Sequence, residues 1–381
     1  MDFQPRQELL ESFEKIYVDA AAVESKLAQR AFALFPKSKI EVVQEQPWSH
    51  IKRGLTAEEF NRSKRNLFLT PFKGQFFKRC PGATQKKVLN CCNYHVLNLG
   101  SQCNMNCSYC YLQSYLNTPI MKMYTNLDQA LAELQEMAQD HGHLPFRVGT
   151  GEVIDSLSLD ELTLFSRDLI PFFERYPKWT LEFKTKSDRV EQFLDLGPSP
   201  NTVVSWSVNA SAVIDHEEHG TARLPDRLLA AQKCREKGFS VAFHLDPLIW
   251  HPNWKESYAD LVDQIVSRFS PDDINVISLG TLRFQPEQRH MMKQRFGMKS
   301  WVTQAEMFPS EGAKLRYDAS LRQEMLKFVH SRFKSHSDKW RIFLCMETPE
   351  TWISALESQP LQKPELQELF RPLPKVDAPT V

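Results

Sequence analysis

Cys103, Cys107 and Cys110 stand in the order CxxxCxxC. Thiolates at that spacing fit on one short loop. With one thiolate per iron they can hold three corners of a [4Fe-4S] cubane and leave the fourth iron open to a substrate or cofactor. The alternatives are a zinc site or buried thiols; zinc takes four ligands, usually from paired CxxC spacings. Cluster chemistry at the end of the element before the loop is therefore the expectation.

The rest of the chain gives this reading its setting. Eight cysteines occur in 381 residues, and six of them fall between Cys80 and Cys110. The N-terminus has charges alternating with apolar residues and no signal-like h-region, so a reducing, cytoplasmic compartment is expected, where clustered cysteines mean metal or catalysis rather than disulfides. For Cys80, Cys91 and Cys92 the choice lies between a second metal site and a scaffold under the cluster loop, and the scaffold is expected. Cys234, inside a helical pattern, reads as a small buried hydrophobe. No window approaches the ~18 apolar residues of a bilayer span, which sets membrane spanning aside. Forty-seven Lys and Arg balance forty-seven Asp and Glu, yet residues 51 to 87 hold ten Lys or Arg against Glu58 and Glu59.

From Tyr94 onward short β-rich runs alternate with helical stretches. Strands are predicted over 94–100, 146–151, 179–185, 203–209, 240–247 and 274–284, and helices near 126–140, 159–174, 188–195, 222–237 and 254–268. Such alternation implies an α/β fold: a partial (β/α)6 TIM-like barrel with parallel strands and right-handed crossovers. Its ligands belong at the C-terminal strand ends. Residues 1–92 read as a helical, basic N-terminal region, 93–297 as the barrel, and 298–381 as a C-terminal α+β extension with a helix at 318–333, a strand at 340–345 and a Pro-rich surface tail.

Other residues able to do chemistry fall at those strand ends. Gly149-Thr150-Gly151-Glu152 closes the second strand, Lys184-Thr185-Lys186 the third, and Ser207-Val208-Asn209-Ala210 the fourth. Together with Tyr109 before Cys110, this set resembles the radical S-adenosylmethionine (SAM) superfamily. The TK and SxNA segments, Cys80-Pro81-Gly82, Cys91-Cys92, Tyr111 after the last cysteine, and Asp246-Pro247 with His251 and Trp254 resemble its spore photoproduct lyase branch, over about residues 65 to 285. The resemblance implies a [4Fe-4S] cluster on the three cysteines, with SAM held by Gly149, Thr150, Gly151 and Glu152 and by Lys186, Ser207 and Asn209. It also implies a flavodoxin- or ferredoxin-type electron donor, and a 5'-deoxyadenosyl radical that acts on a thymine lesion in DNA.

The pattern departs at one point. Lyases of this branch carry a hydrogen-returning cysteine just after the second barrel strand, whereas Val148–Ser156 contains none. Thr150 and Ser156 cannot replace it, because their O–H bonds are too strong to yield a hydrogen atom to carbon. Tyr109, Tyr111 and Cys345 are the replacements considered. Three functions follow: DNA repair, with the 51–87 cations on phosphates and Phe68, Phe72, Phe76 and Phe77 as stacking surfaces; the same radical chemistry on a small molecule or peptide; and a non-catalytic iron-sulfur sensor. Those phenylalanines packing the N-terminal region onto the barrel is the plainer reading.

Overall fold

The computed structural model describes residues 3–47, 56–80, 94–116, 120–361, 365 and 368–371. Cys91 and Cys92 lie outside the described residues. Eight strands form the main sheet: β1 (Phe77–Arg79), β2 (His95–Leu97), β3 (Phe146–Gly149), β4 (Trp179–Thr185), β5 (Thr202–Ser207), β6 (Ser240–Leu248), β7 (Ile274–Thr281) and β8 (Ile342–Leu344). They pair in simple order from β8 to β1. All neighbours are parallel except β1 with β2. β5 and β7 are buried along their whole length, the signature of parallel strands covered on both faces. Helix Leu224–Glu236 packs on β5 and helix Ala319–His336 on β7, while Leu127–His141 packs by β1 with a stripe of Ala130, Leu134 and Ala138, at the four-residue spacing that keeps one helical face apolar.

This is the parallel partial barrel expected from the alternation; β4 and β6 fall within a residue of their predicted bounds, and β7 starts where predicted but ends three residues early, at Thr281. The helices predicted at 126–140, 222–237 and 254–268 are found at Leu127–His141, Leu224–Glu236 and Trp254–Val266. Two connections differ. The helix predicted over 159–174 breaks into Asp160–Thr163 and Phe165–Glu174 at Leu164, which sits in the left-handed region at φ 53°. Buried Asp160 causes the break by accepting from the Ser166 backbone at 3.1 Å and from Gln192 at 2.9 Å. No helix forms over 188–195, where only the single turn Leu194–Leu196 is found. There Arg189 and Gln192 point inward to Glu161 and Asp160 rather than presenting an apolar helical stripe.

The N-terminal region is not the helical prelude predicted. It builds a second, five-stranded sheet in the order Ile40–Val43, Lys15–Asp19, Asn66–Thr70, Met121–Tyr124, Gly100–Ser101. The first four run parallel. Short strands between charged flanks, with Ile16 and Val18 buried and Asn66–Leu69 buried on both faces, mimic a helical period in sequence. The divisions at 92/93 and 297/298 therefore do not coincide with the sheets. The chain leaves β2, enters the second sheet at Gly100, carries the cysteines, and re-enters that sheet at Met121, so the loop is clamped between two sheets. At the other end, β8 is an edge of the barrel sheet rather than part of a separate extension. The tail is not all surface: Phe370 is 5% exposed, 5.2 Å from the Phe343 ring, with the Arg147 guanidinium 3.8 Å over its face.

Phe68, Phe76 and Phe77 are buried, and Phe72 stacks on Tyr124 at 4.3 Å. These aromatics are packing, not stacking surfaces for a ligand. No described helix is long and apolar enough to cross a membrane.

Candidate active site

The cysteine loop leaves the C-terminal end of β2 and is held from several sides. Asn106–Cys107 forms a short antiparallel ladder with Glu218–His219, and the Ser108 N–H donates to the Glu217 carbonyl at 2.8 Å. Gln288 donates to the carbonyls of Tyr109 at 2.9 Å and Cys110 at 3.2 Å, and Gln113 to that of Ser108 at 2.9 Å. The Lys64 ammonium donates to the carbonyls of Cys103 and Met105 at 2.7 and 2.6 Å. Burial pulls that ammonium below its usual range, while the neighbouring thiols act in the opposite sense.

Cys107 is buried, and Cys103 and Cys110 are half-buried. Burial pushes the Cys103 thiol up to about 11 and Cys107 higher still, with Cys110 adding to both and Cys103 to Cys107. Among the described residues no three His, Cys, Asp or Glu side chains converge tightly enough to hold a single metal ion. A cluster needs one thiolate per iron, which three thiols on one loop can supply, whereas a zinc ion needs four ligands on one centre.

Gly149–Glu152 lies at the end of β3, beside the loop. A Cβ at Gly149 would sit 1.4 Å from the Tyr94 hydroxyl oxygen, and one at Gly151 would lie 2.9 Å from Ser156 Oγ and 3.1 Å from Lys184. Both glycines are therefore dictated by close approach. Thr150 is buried, its hydroxyl donating to Ser156 Oγ at 2.8 Å. Glu152 leaves one carboxylate oxygen, Oε2, buried without a hydrogen-bond partner, and burial raises its pKa. An orphan buried carboxylate oxygen next to the thiols fits a bound ammonium such as the amino group of SAM.

Lys186, beyond β4, lies 5.6 Å over the Tyr109 ring. Burial alone lowers its ammonium, but Glu218 and Cys107 outweigh burial and hold it above the ordinary value. A cation so placed, beside Cys107, fits the carboxylate of a ligand bound next to the cysteines. The Ser207 carbonyl accepts from Arg227 at 2.7 Å. Asn209 has both ends of its amide engaged: it donates to the Pro247 carbonyl at 2.8 Å and accepts from Tyr258 at 2.8 Å. It ties the end of β6 and the helix Trp254–Val266 to the end of β5.

Of the hydrogen-donor candidates, Tyr109 donates its phenol to Glu218, and burial together with that carboxylate keeps it protonated far above its usual range. Tyr111 is 42% exposed and donates to the Glu152 carbonyl. Cys345 sits across the sheet at the end of β8, its sulfur 3.7 Å from the Arg283 guanidinium, which grips Asp246 through two bonds of 2.9 and 2.8 Å. Tyr109 and Tyr111 lie on the cysteine loop after β2, and Cys345 directly follows β8. Cys80 follows β1 and closes onto β2 through its N–H to the Tyr94 carbonyl at 3.0 Å. Cys234 is fully buried in its helix, as expected.

Sequence reasoning missed Lys64, Gln288, Arg295 and the buried pair Arg227–Glu218 that back the loop. Lys64 was hidden within the basic run. The only signal for Glu218 was the acidic pair in HEEH following the SxNA segment, and nothing in the sequence marks Arg227.

A family model described as spore photoproduct lyase matches residues 12–309. The chain is 26% identical over 289 residues to the spore photoproduct lyase of Geobacillus sp., covering 74% of this chain and 82% of that protein. With the Bacillus subtilis protein of the same name it shares 24% over 263 residues, 68% and 74% of the two chains. A spore photoproduct lyase variant with bound AdoMet and dinucleoside spore photoproduct superposes with a TM-score of 0.76 at 21% identity, over 87% of this chain and 99% of that one. The same enzyme complexed with dinucleoside spore photoproduct gives 0.75 at 21% identity, over 91% and 100%. The chain belongs to the spore photoproduct lyase family.

Proposed function

We propose that this radical SAM enzyme cleaves SAM reductively at a [4Fe-4S] cluster held by Cys103, Cys107 and Cys110 and uses the radical to reverse a thymine lesion in DNA. One observation carries the reading: three neighbouring thiols on the loop after β2, with the orphan Glu152 carboxylate oxygen at the next strand end. Held by those thiols, a cluster would supply one electron to the SAM sulfonium, whose S–C5' bond would break to give methionine and the 5'-deoxyadenosyl radical.

The chain's own residues do the rest. Glu152 receives the SAM ammonium and Lys186 its carboxylate, while Gly149 and Gly151 give the backbone clearance to approach the ligand. Ser207, with Asn209 behind it, shapes the wall at the end of β5. Tyr111 and Tyr115 after the cysteines, Trp250 after β6, and Phe308 are each at least 42% exposed, and Lys184 and Lys314 lie close to Asp246 near the end of β6. Aromatic faces interleaved with cations suit an unstacked base and its phosphates. A flavodoxin- or ferredoxin-type protein delivers the electron.

Cys345 takes the part of the absent cysteine after β3. Its S–H is weak enough to pass a hydrogen atom to a carbon radical, and it stands at the mouth beside Arg283 and Asp246. Reduced, reconstituted protein is to be given SAM labelled with deuterium at C5' and ultraviolet-damaged spore-type DNA. Repaired thymine, formed with 5'-deoxyadenosine that carries one hydrogen taken from the lesion beside its two deuteriums, supports the lesion reading. 5'-Deoxyadenosine without repair on any DNA tested redirects the same chemistry to another substrate.

A further inference from the structure

The basic run ahead of the cysteine loop places one lysine out of water. Lys64 is 7% exposed, at the end of helix Ala57–Ser63, with its Nζ on the carbonyls of Cys103 and Met105 and 5.0 Å from the centre of the Phe60 ring. A second cation approaches from helix Gln288–Phe296. Arg295 donates to the side-chain oxygens of Gln113 at 2.7 Å, of Asn61 at 2.9 Å and of Asn106, and its guanidinium lies 4.3 Å over Phe60.

Every one of these acceptors is neutral. Neither cation takes part in an ion pair with a carboxylate among the described residues. Drawing a charge out of water against neutral oxygens costs several kcal/mol unless opposite charge lies within reach. The groups close enough to supply it are the cysteines: Cys103, Cys107 and Cys110 around Lys64, and Cys107 and Cys110 around Arg295. Two cations with no carboxylate partner, pressed on the outer side of one loop, describe a site built for an occupant that is strongly negative.

We infer that Lys64 and Arg295 are the counter-charges of the loaded cluster and raise its reduction potential. The inference deepens the proposed function and rests on it. In the step concerned, a low-potential one-electron donor passes one electron to the cluster. No bond or proton moves, so the whole increment of negative charge appears within the thiolate cage. Net charge and solvent exposure around a cluster set its potential, and buried positive charges stabilise the reduced state more than the oxidised one. Lys64 adds a second effect: by holding two loop carbonyls it turns their negative ends away from the cage. Both residues act through the cluster and are positioning residues.

The test is an anaerobic redox titration of the full-length reconstituted protein without SAM, followed by the electron paramagnetic resonance signal of the reduced cluster. Lys64→Met and Arg295→Gln are each compared with the unaltered chain and with Lys64→Arg, all normalised to iron content. At a fixed poise each uncharged variant is expected to lower the reduced-to-oxidised ratio about tenfold, which is 59 mV for a one-electron couple, while Lys64→Arg stays near the unaltered value. Fully loaded Lys64→Met or Arg295→Gln with an unchanged midpoint overturns the inference. If Lys64→Met does not load, Arg295→Gln decides alone. An unaltered chain that never takes up a cluster refutes the proposed function instead, so the two failures are distinguishable.

Discussion

Arg227 and Glu218 form an ion pair at 2.7 Å with neither side chain more than 1% exposed. Glu218 also pairs across a ladder with Cys107 and accepts the Tyr109 phenol, so this pair is the floor under the cluster loop. Removing one partner leaves the other charge buried, which costs about 3–5 kcal/mol. Arg227→Met is expected to lose stability of that order in chemical denaturation and to load iron poorly. A variant as stable as the parent would mean that the pair is dispensable.

Glu152→Ala separates the cluster from SAM binding. The side chain touches no cysteine loop carbonyl, so iron content and colour are expected to persist. Loss of a charge-assisted hydrogen bond of about 1.5–3 kcal/mol weakens SAM binding roughly ten- to hundred-fold. Titration calorimetry on the reconstituted protein reads this directly, and an unaltered Kd would remove Glu152 from the SAM site.

Cys345 is tested by the fate of its exchangeable hydrogen. Enzyme equilibrated in deuterated water is expected to return deuterium to the repaired thymine, and Cys345→Ala to lose that label while still forming 5'-deoxyadenosine. If Cys345→Ala keeps full label and Tyr111→Phe abolishes it, the tyrosine is the donor.

A pH effect comes from inside the barrel. His244 shares Glu182 at 2.9 Å with Ser205, and Arg147 binds the same carboxylate at 2.6 Å. Burial, reinforced by Lys184, pulls the imidazole down from 6.5 to about 4. The unfolded chain therefore takes up a proton below pH 6.5, while the folded chain stays neutral to about pH 4. Stability that is present above 6.5 is lost across this window, by roughly 3 kcal/mol. Burial raises the carboxyls of Glu182 and Asp246, but Arg147 and Arg283 outweigh it and hold them low. Their loss comes below about pH 4.5; His251 and His330, which burial also lowers, act in the same window as His244, so a His244 variant isolates that residue's share. Denaturation midpoints from pH 7 to 4.5 are expected to flatten in His244→Gln; an equal slope in both proteins would exclude the imidazole.

The legible parts of the chain were those where local pattern and tertiary role agree. The cysteine spacing, the glycines after Val148 and the strands around Phe183 and Val204 carry their meaning within a few residues. The second sheet was illegible because its strands are two to five residues long, and Lys15–Asp19 pairs with Ile40–Val43 and Asn66–Thr70 across long separations. No local period records such pairing. Lys64, Arg227 and Arg295 were missed for the same physical reason: the partner that makes a buried cation meaningful is supplied by another segment. Asn209 shows the converse, a residue legible as polar at a strand end whose amide is taken up by Pro247 and Tyr258.

The most direct test reconstitutes the chain with iron and sulfide under anaerobic conditions, reduces it, adds SAM and measures 5'-deoxyadenosine beside Cys107→Ala. The expected result is a cubane absorbance and steady 5'-deoxyadenosine from the unaltered chain, with both lost together in the variant. Stoichiometric zinc with no cluster, or SAM cleavage that survives Cys107→Ala, would contradict the assignment of the three thiols.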